Sequence, residues 1–198
     1  MWNKFIVKDN FLSKNHFDRI SKISFDTKPN ELHILKHKIY SNGKIEIWDI
    51  LKHKIYSNGK IEILGNVDNK NQLGLSIEDI KNIHEKHHDY MLECLKELAP
   101  EKLQNYSFTE LNVVNTGKDV SFRIHADTID KLLSVVVYIA PEKNEGTYLY
   151  ETKDGKNPQL IEWKTNKAFI FSRTDDTWHS YKGDGISNRL TLVYNLRS

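Results

Sequence analysis

Three residues of this chain could together bind a metal ion. His125 and Asp127 stand two positions apart, and His179 follows much later (179 − 127 = 52). A His-x-Asp pair with a distant histidine is the ligand set of the two-histidine, one-carboxylate facial triad, which binds Fe(II) and leaves the opposite positions open. Arg189 lies ten positions after His179 (189 − 179 = 10), where its planar fork of donors could bind a carboxylate. These residues predict an oxygenase that uses a carboxylate-bearing cosubstrate.

A second set of histidines has the spacing of a zinc-protease motif. His84, Glu85 and His88 satisfy His-Glu-x-x-His, in which two histidines lie one helical turn apart and the glutamate acts as base. No third ligand follows at a convincing position. We therefore interpret these histidines as residues that pack a helix against the rest of the fold. A zinc metalloprotease stays the less favoured alternative.

The composition is that of one folded domain. The chain has 198 residues with a hydrophobic fraction of 38%, which is enough to bury a core. Lys and Arg total 29 and Asp and Glu total 27, so the net charge of +2 favours neither a nucleic-acid nor a membrane partner. The single cysteine, Cys94, allows no intrachain disulfide, and no apolar run approaches ~20 residues. We predict a cytoplasmic protein.

Two helices are predicted in the N-terminal half. Ser13 can cap a first helix. Ser76 can cap a second, longer one, with Asp79 as its capping-box partner and Pro100 at its end.

Between these helices the chain repeats itself, because residues 34–47 and 50–63 are identical. Each copy contains an Asn-Gly pair, at 42–43 and at 58–59, between alternating polar and apolar residues, which predicts a β-hairpin with a type I′ turn. Two copies are too few for a solenoid. One interpretation is a recent or artificial tandem duplication without a role. The other is an extended sheet edge or a lid near a substrate site.

From about residue 106 the pattern changes to short β-rich runs separated by turn residues. Eight strands are predicted, at 107–114, 120–126, 132–139, 146–151, 159–163, 167–172, 177–182 and 188–196. This spacing favours a double-stranded β-helix (jelly roll), in which alternate side chains point inward. His125 and Asp127 would then project to the same side of one strand.

We therefore predict a mainly β fold with flanking helices, and a single oxygenase domain over residues 1–198. In this prediction residues 1–105 supply supporting helices and the duplicated hairpin. Residues 106–198 form the jelly-roll catalytic core.

Short motifs in the C-terminal half add a family resemblance. They are Arg123-Ile-His-Ala-Asp127, residues 131–139, Glu145-Gly-Thr147, Trp178-His-Ser180 and Asn188-Arg-Leu-Thr191. Together they resemble the Fe(II)/2-oxoglutarate-dependent dioxygenases, and within them the prolyl-4-hydroxylase-like branch with its small phage and bacterial members. The resemblance covers about residues 107–196.

The resemblance assigns roles to the motif residues. It implies that His125, Asp127 and His179 ligate iron and that Arg189 pairs with the distal carboxylate of 2-oxoglutarate. Tyr138 resembles the tyrosine that hydrogen-bonds the same carboxylate.

Two further residues are candidates for cosubstrate contacts. Thr191 is a weaker candidate for the contact made by the tyrosine. The branch usually carries another tyrosine shortly before the His-x-Asp pair, but residues 111–115 contain none, and Asn112 is the candidate donor in its place.

The resemblance also implies the cofactors and the reaction. Fe(II), 2-oxoglutarate and O2 would be required, with ascorbate as a candidate reductant. The substrate would be a peptide, with a prolyl residue as the nearest analogy, or a small molecule that is hydroxylated at a C–H bond. Arg189 is not followed by the Asn and second Arg of the nucleobase-demethylating relatives, which argues against DNA repair. A cupin-like barrel that binds a metal or a small acid without turnover is the alternative.

Overall fold

A computed structural model describes residues 4–40, 44–55, 61–67 and 76–198. Within these ranges the chain forms twelve strands in two antiparallel sheets, two α-helices and one 3-10 helix. The prediction of a mainly β fold with flanking helices is confirmed.

The helices are α1 (Lys14–Ser21) and α2 (Ile77–Leu98), and a 3-10 helix covers Pro100–Asn105. The strands are β1 (Ile6–Lys8), β2 (Glu31–Tyr40), β3 (Ile45–Ile55), β4 (Ile61–Val67), β5 (Phe108–Thr116), β6 (Phe122–His125), β7 (Lys131–Ala140), β8 (Thr147–Tyr150), β9 (Gln159–Ile161), β10 (Ala168–Phe171), β11 (Trp178–Tyr181) and β12 (Arg189–Arg197). The eight strands predicted after residue 106 are present as β5 to β12.

Both helices begin at the predicted caps. The Ser13 side chain accepts a hydrogen bond from the His16 amide, and Ser76 and Asp79 form a reciprocal capping box. Helix α2 ends at Leu98, two residues before Pro100, because proline has no amide proton to continue the helix. None of the described helices is long and apolar enough to cross a membrane.

The larger sheet has the strand order β1-β10-β7-β12-β5-β2-β3-β4, and the smaller sheet has the order β6-β11-β8-β9. Strand β2 pairs with β5 from Leu32 opposite Thr116 to Tyr40 opposite Phe108. The N-terminal half therefore does more than support the C-terminal strands, since it continues the same sheet.

Alternation along the strands of the larger sheet separates two environments. On one face, apolar side chains form a core with the two helices; this group includes Leu35, Leu111, Val113, Val135, Leu192, Ile80 and Met91. Side chains of the opposite face line a cavity between the two sheets, where both sheets contribute residues. The buried Cys94 belongs to the core, and burial raises its pKa.

The duplicated segment extends the edge of the larger sheet. The first copy pairs β2 with the start of β3, and the second pairs the end of β3 with β4. Each copy is thus a hairpin, and the two hairpins share one strand. The Asn-Gly turns of both copies lie outside the described residues.

Candidate metal centre

Strand pairing in the smaller sheet brings the two predicted histidine ligands together. His125 at the end of β6 lies directly opposite His179 of β11, and their ring centroids are 4.4 Å apart. The prediction that Asp127 lies on the same strand as His125 is wrong, because β6 ends at His125 and Asp127 belongs to the following loop. One candidate ligand atom from each of the three residues nevertheless lies within 4.8 Å of the others.

The hydrogen bonds of both histidines select one tautomer. His125 Nδ1 lies 2.7 Å from the Arg123 carbonyl, and His179 Nδ1 lies 2.9 Å from the Thr177 carbonyl. A carbonyl oxygen only accepts, so each Nδ1 carries the proton and each Nε2 keeps its lone pair for a metal. Burial lowers the pKa of His179 to about 4, so its ring is neutral at pH 7. The edge contact with Phe171, with centroids 5.3 Å apart, supports the same ring.

Polar contacts keep Asp127 ionised. The Lys131 ammonium lies 2.8 Å from Oδ1, and the Ser134 hydroxyl donates to Oδ2 at 2.8 Å. Burial would raise the pKa of this carboxyl. The charge of Lys131 and these two hydrogen bonds outweigh burial, so the pKa of Asp127 lies below its ordinary value. Asp127 can therefore offer a carboxylate oxygen to a cation.

Arg189 is a buried cation that forms no ion pair with any carboxylate of the described residues. Arg189 is only 5% exposed, and no described residue forms a hydrogen bond with its Nε. The guanidinium instead lies over aromatic rings, 3.9 Å from the centroid of Tyr181 and 5.2 Å from those of Tyr138 and Trp163. Burial lowers the pKa of Arg189. A buried, unpaired guanidinium is costly unless a ligand supplies the missing anion.

One cavity of about 440 Å³ connects these groups. Its lining includes the three candidate metal ligands and Arg189. This volume lies within the range of small-molecule sites. The cavity can therefore hold a metal ion and an anionic organic ligand at the same time.

No family model and no curated protein sequence matches this chain. Solved structures do match it. The chain is similar to a prolyl-4-hydroxylase from Pseudomonas putida, with a TM-score of 0.54 and 13% identity over 98% of this chain and 91% of that one. It is also similar to a prolyl hydroxylase from Trichoplax adhaerens, solved in complex with a peptide fragment of the hypoxia inducible factor oxygen degradation domain. The TM-score is 0.58 and the identity 13%, over 98% of this chain and 84% of that one. For an oxidoreductase of the 2OG-Fe(II) oxygenase family from Burkholderia pseudomallei, the TM-score is 0.52 and the identity 10%, over 98% of this chain and 84% of that one.

The chain shares its fold with these oxygenases. The resemblance predicted from the short motifs is thus confirmed for the fold. The two antiparallel sheets described above are thus those of an oxygenase fold, with the His-Asp-His cluster and Arg189 in the cavity between them.

Of the remaining predicted site residues, Thr191 and Asn112 line the cavity and Tyr138 does not. Thr191 is buried and lines the cavity. The Tyr138 hydroxyl donates to Thr147 Oγ1 at 2.8 Å, and it is Thr147 that lines the cavity. Asn112 also lines the cavity, but its Nδ2 already donates to Glu110. A contact from Tyr138 to a cosubstrate stays a prediction.

Sequence reasoning missed several lining residues, among them Tyr181 and Thr147. Tyr181 stands two positions after His179 on β11, so strand alternation could have placed it on the same side. Thr147 belongs to the Glu145-Gly-Thr147 motif of the family resemblance, but that motif assigned it no role.

The zinc-protease motif on α2 lacks the geometry of a metal site. His84 Nδ1 and His88 Nδ1 both point to the Tyr194 hydroxyl, at 2.8 and 3.4 Å. Glu85 is exposed and pairs with Lys81. Within the described ranges, His125, Asp127 and His179 form the one group of three or more candidate metal-ligating side chains, and the motif on α2 is not part of it.

Proposed function

We propose that this protein is an Fe(II)- and 2-oxoglutarate-dependent dioxygenase that hydroxylates a C–H bond. The observation that carries the proposal is the buried Arg189 guanidinium, which pairs with no carboxylate of the described residues and lies in the same cavity as the His-Asp-His cluster. A metal site alone would fit many functions. A metal site that shares a cavity with a buried cation that no described carboxylate neutralises fits a metal and a dicarboxylate together.

We also infer that the two sheets form a double-stranded β-helix and that residues 1–198 act as one domain. Support comes from the cavity, which is lined from both sheets, and from the pairing of β2 with β5 across the predicted boundary at residue 106.

The donor set fits Fe(II). His125 Nε2, His179 Nε2 and an Asp127 oxygen would hold the ion, and two imidazoles with one carboxylate match its preferred ligands while leaving positions open. The backbone carbonyls behind both rings and the Ser134 hydroxyl behind the carboxylate would hold these ligands in place.

The donor set at Arg189 fits the distal carboxylate of 2-oxoglutarate. Its guanidinium can donate two parallel hydrogen bonds, and Thr191 and Thr147 offer hydroxyls in the same cavity. The surrounding rings, of which Tyr181 is the nearest, exclude water and so strengthen the attraction between the two charges.

Bound iron would supply the activation of O2 that converts 2-oxoglutarate to succinate and CO2 and a substrate C–H to C–OH. The protein residues orient the reactants and exclude water: Arg189 places the cosubstrate, and Phe169 and Phe171 form an apolar wall of the cavity. The substrate is a peptide or a small molecule.

Succinate release tests the proposal. Purified protein with Fe(II), O2 and 2-oxoglutarate should release succinate slowly without added substrate, and His125→Ala and Asp127→Ala should each abolish this release. His84→Ala is the matched control, because it removes a half-buried histidine outside the cavity.

Two outcomes would contradict the proposal. Equal release by wild type and both ligand variants would show that the cluster is not the catalytic site. Binding of metal and 2-oxoglutarate without any succinate, across a broad screen of peptides and metabolites, would favour the cupin-like alternative.

A further inference from the structure

A polar cluster centred on Glu110 lines the same cavity. Glu110 is 3% exposed and accepts hydrogen bonds from four side chains. Its Oε1 accepts from Asn112 Nδ2 at 2.9 Å, from Asn195 Nδ2 at 3.1 Å and from Arg197 Nη2 at 2.9 Å, and Lys36 Nζ lies 2.5 Å from Oε2. These contacts outweigh the effect of burial and lower the pKa of Glu110 to about 2, so it is an anion at neutral pH.

The two asparagines leave acceptor atoms without partners. A carboxylate only accepts, so both amides must turn Nδ2 toward Glu110 and Oδ1 away from it. Asn112 is 8% and Asn195 1% exposed, and neither Oδ1 has a hydrogen-bond partner among the described residues. Both residues line the cavity. Buried amide oxygens without donors are rare, and here they are free to accept from a bound group that supplies N–H protons.

The cluster also leaves a donor without a partner. Arg197 lines the cavity, and within the described part of the chain its Nε has no hydrogen-bond partner, although its terminal nitrogens bind Glu110 and Asp130. The lining at this end of the cavity includes three cations, Lys36, Lys131 and Arg197, and two carboxylates, those of Glu110 and Asp127, while Asp130 pairs with Arg197 from outside the lining. The vacant hydrogen-bonding capacity thus matches a ligand with both an N–H group and an anion.

Strand β12 separates this cluster from Arg189. Alternate residues of β12 from Arg189 to Arg197 line the cavity, and Asn195 lies six residues after Arg189, or roughly 20 Å along an extended strand. Asn195 is paired in register with Ser134, whose hydroxyl binds Asp127. The cluster therefore lies next to the metal ligands, at the strand end away from the proposed cosubstrate carboxylate.

We propose that the substrate of this oxygenase is a free α-amino acid, which the Glu110 cluster recognises by its two charged groups. The ammonium donates to Asn112 Oδ1 and Asn195 Oδ1, and the carboxylate accepts from Arg197 Nε. This inference rests on the function proposed above, and it selects among the substrates that the function leaves open.

Burial favours a free amino acid over a polypeptide. A chain that continues in both directions must leave the cavity at both ends, and its internal residues carry neither an ammonium nor a carboxylate on the backbone. The unpartnered atoms of Asn195 and Asn112 lie in residues that are more than nine-tenths buried, so the group that reaches them must be small.

Calorimetric titration tests this assignment without turnover. The protein is loaded with 2-oxoglutarate and Mn(II), which binds free amino acids only weakly, and each of the twenty protein amino acids is titrated in turn. At least one should bind, and its N-acetyl and methyl-ester derivatives should each bind at least tenfold more weakly. These derivatives act on the wild-type protein, so the result does not depend on whether a variant folds.

Asn195→Ala should weaken binding of the same amino acid at least tenfold. Asn115→Ala is the matched control, because Asn115 is 8% exposed on β5 but binds Thr27 and does not line the cavity, and it should change affinity less than twofold.

The outcomes separate the two proposals. Binding of 2-oxoglutarate without binding of any free amino acid, or binding of peptides alone, overturns the amino-acid assignment and leaves the oxygenase proposal standing. Equal binding of the N-acetyl derivative also overturns it. Failure of 2-oxoglutarate itself to bind overturns the oxygenase proposal and this inference with it.

Discussion

Replacement of Arg189 by methionine should affect ligand binding and stability in opposite ways. Arg189→Met keeps a long side chain against Tyr181 but removes the charge. Each hydrogen bond between charged groups contributes about 1.5–3 kcal/mol, so loss of a two-bond contact to a carboxylate should cost at least ~3 kcal/mol. At 1.4 kcal/mol per factor of ten, 2-oxoglutarate should bind more than about a hundredfold more weakly.

The ligand-free protein should tolerate the same change. Arg189 is 5% exposed and unpaired by any described carboxylate, so its burial costs several kcal/mol, while its contact with the Tyr181 ring returns about 2 kcal/mol. We expect the free energy of unfolding of Arg189→Met, without ligand, to stay within ~1 kcal/mol of wild type or to rise.

Two measurements on one set of samples decide this. Calorimetry with Mn(II) present gives the affinity for 2-oxoglutarate, and urea unfolding without ligand gives the stability. Arg19→Met is the control, because Arg19 pairs with Asp79 at the helices and should leave the affinity within twofold. A loss of affinity below threefold, or a destabilisation above ~2 kcal/mol, would mean that Arg189 has a structural role instead.

Three further predictions follow from other parts of the molecule. His179→Ala should lower Mn(II) affinity at least a hundredfold while His84→Ala changes it less than twofold, and the reverse order in calorimetry would support the zinc-protease motif. His87 is 6% exposed, and burial lowers its pKa from 6.5 to about 4. Between these two pH values the unfolded chain binds a proton at His87 that the folded chain does not bind. The free energy of unfolding should therefore fall as the pH drops from about 6.5 to 4. In urea unfolding, His87→Phe should reduce the pH dependence of the free energy of unfolding by up to ~1.4 kcal/mol per pH unit. An unchanged pH dependence would show that the pKa of His87 is not lowered in the folded protein. Deletion of residues 48–63 removes one repeat length. The variant should keep its metal affinity, and its melting temperature should stay within a few degrees of wild type, because the cavity-lining residues of β2 precede residue 37. Loss of metal binding would instead show that the second copy has a role at the site.

Local sequence signals were sufficient for most of the framework. The capping residues Ser13 and Ser76 mark where both helices begin, because a cap satisfies amide groups within three residues of itself. The strands after residue 106 were predictable from short apolar runs between turns, since neighbouring residues determine that pattern. The position of Asp127 beyond β6 was not predictable, because strand pairing decides where a strand ends.

The composition of the cavity depended on contacts between distant segments. Asn112 was proposed as a donor to the cosubstrate, but its amide nitrogen is held by Glu110, which gave no signal in the sequence. The contribution of β2 to the cavity was also missed, because its pairing with β5 joins residues that lie 68 to 84 positions apart (108 − 40 = 68, 116 − 32 = 84). In both cases the relevant partner is distant along the chain.

The sequence by itself determined which residues could do chemistry. The two histidines, the aspartate and Arg189 were identifiable by type and spacing, since alternation along a strand is a local property. Only the tertiary structure decided that Arg189 is buried without a carboxylate partner among the described residues, and that the amides around Glu110 direct their oxygens away from it. The physical reason is that burial and hydrogen-bond satisfaction are set by strand register and sheet packing, which bring together side chains that no local pattern relates.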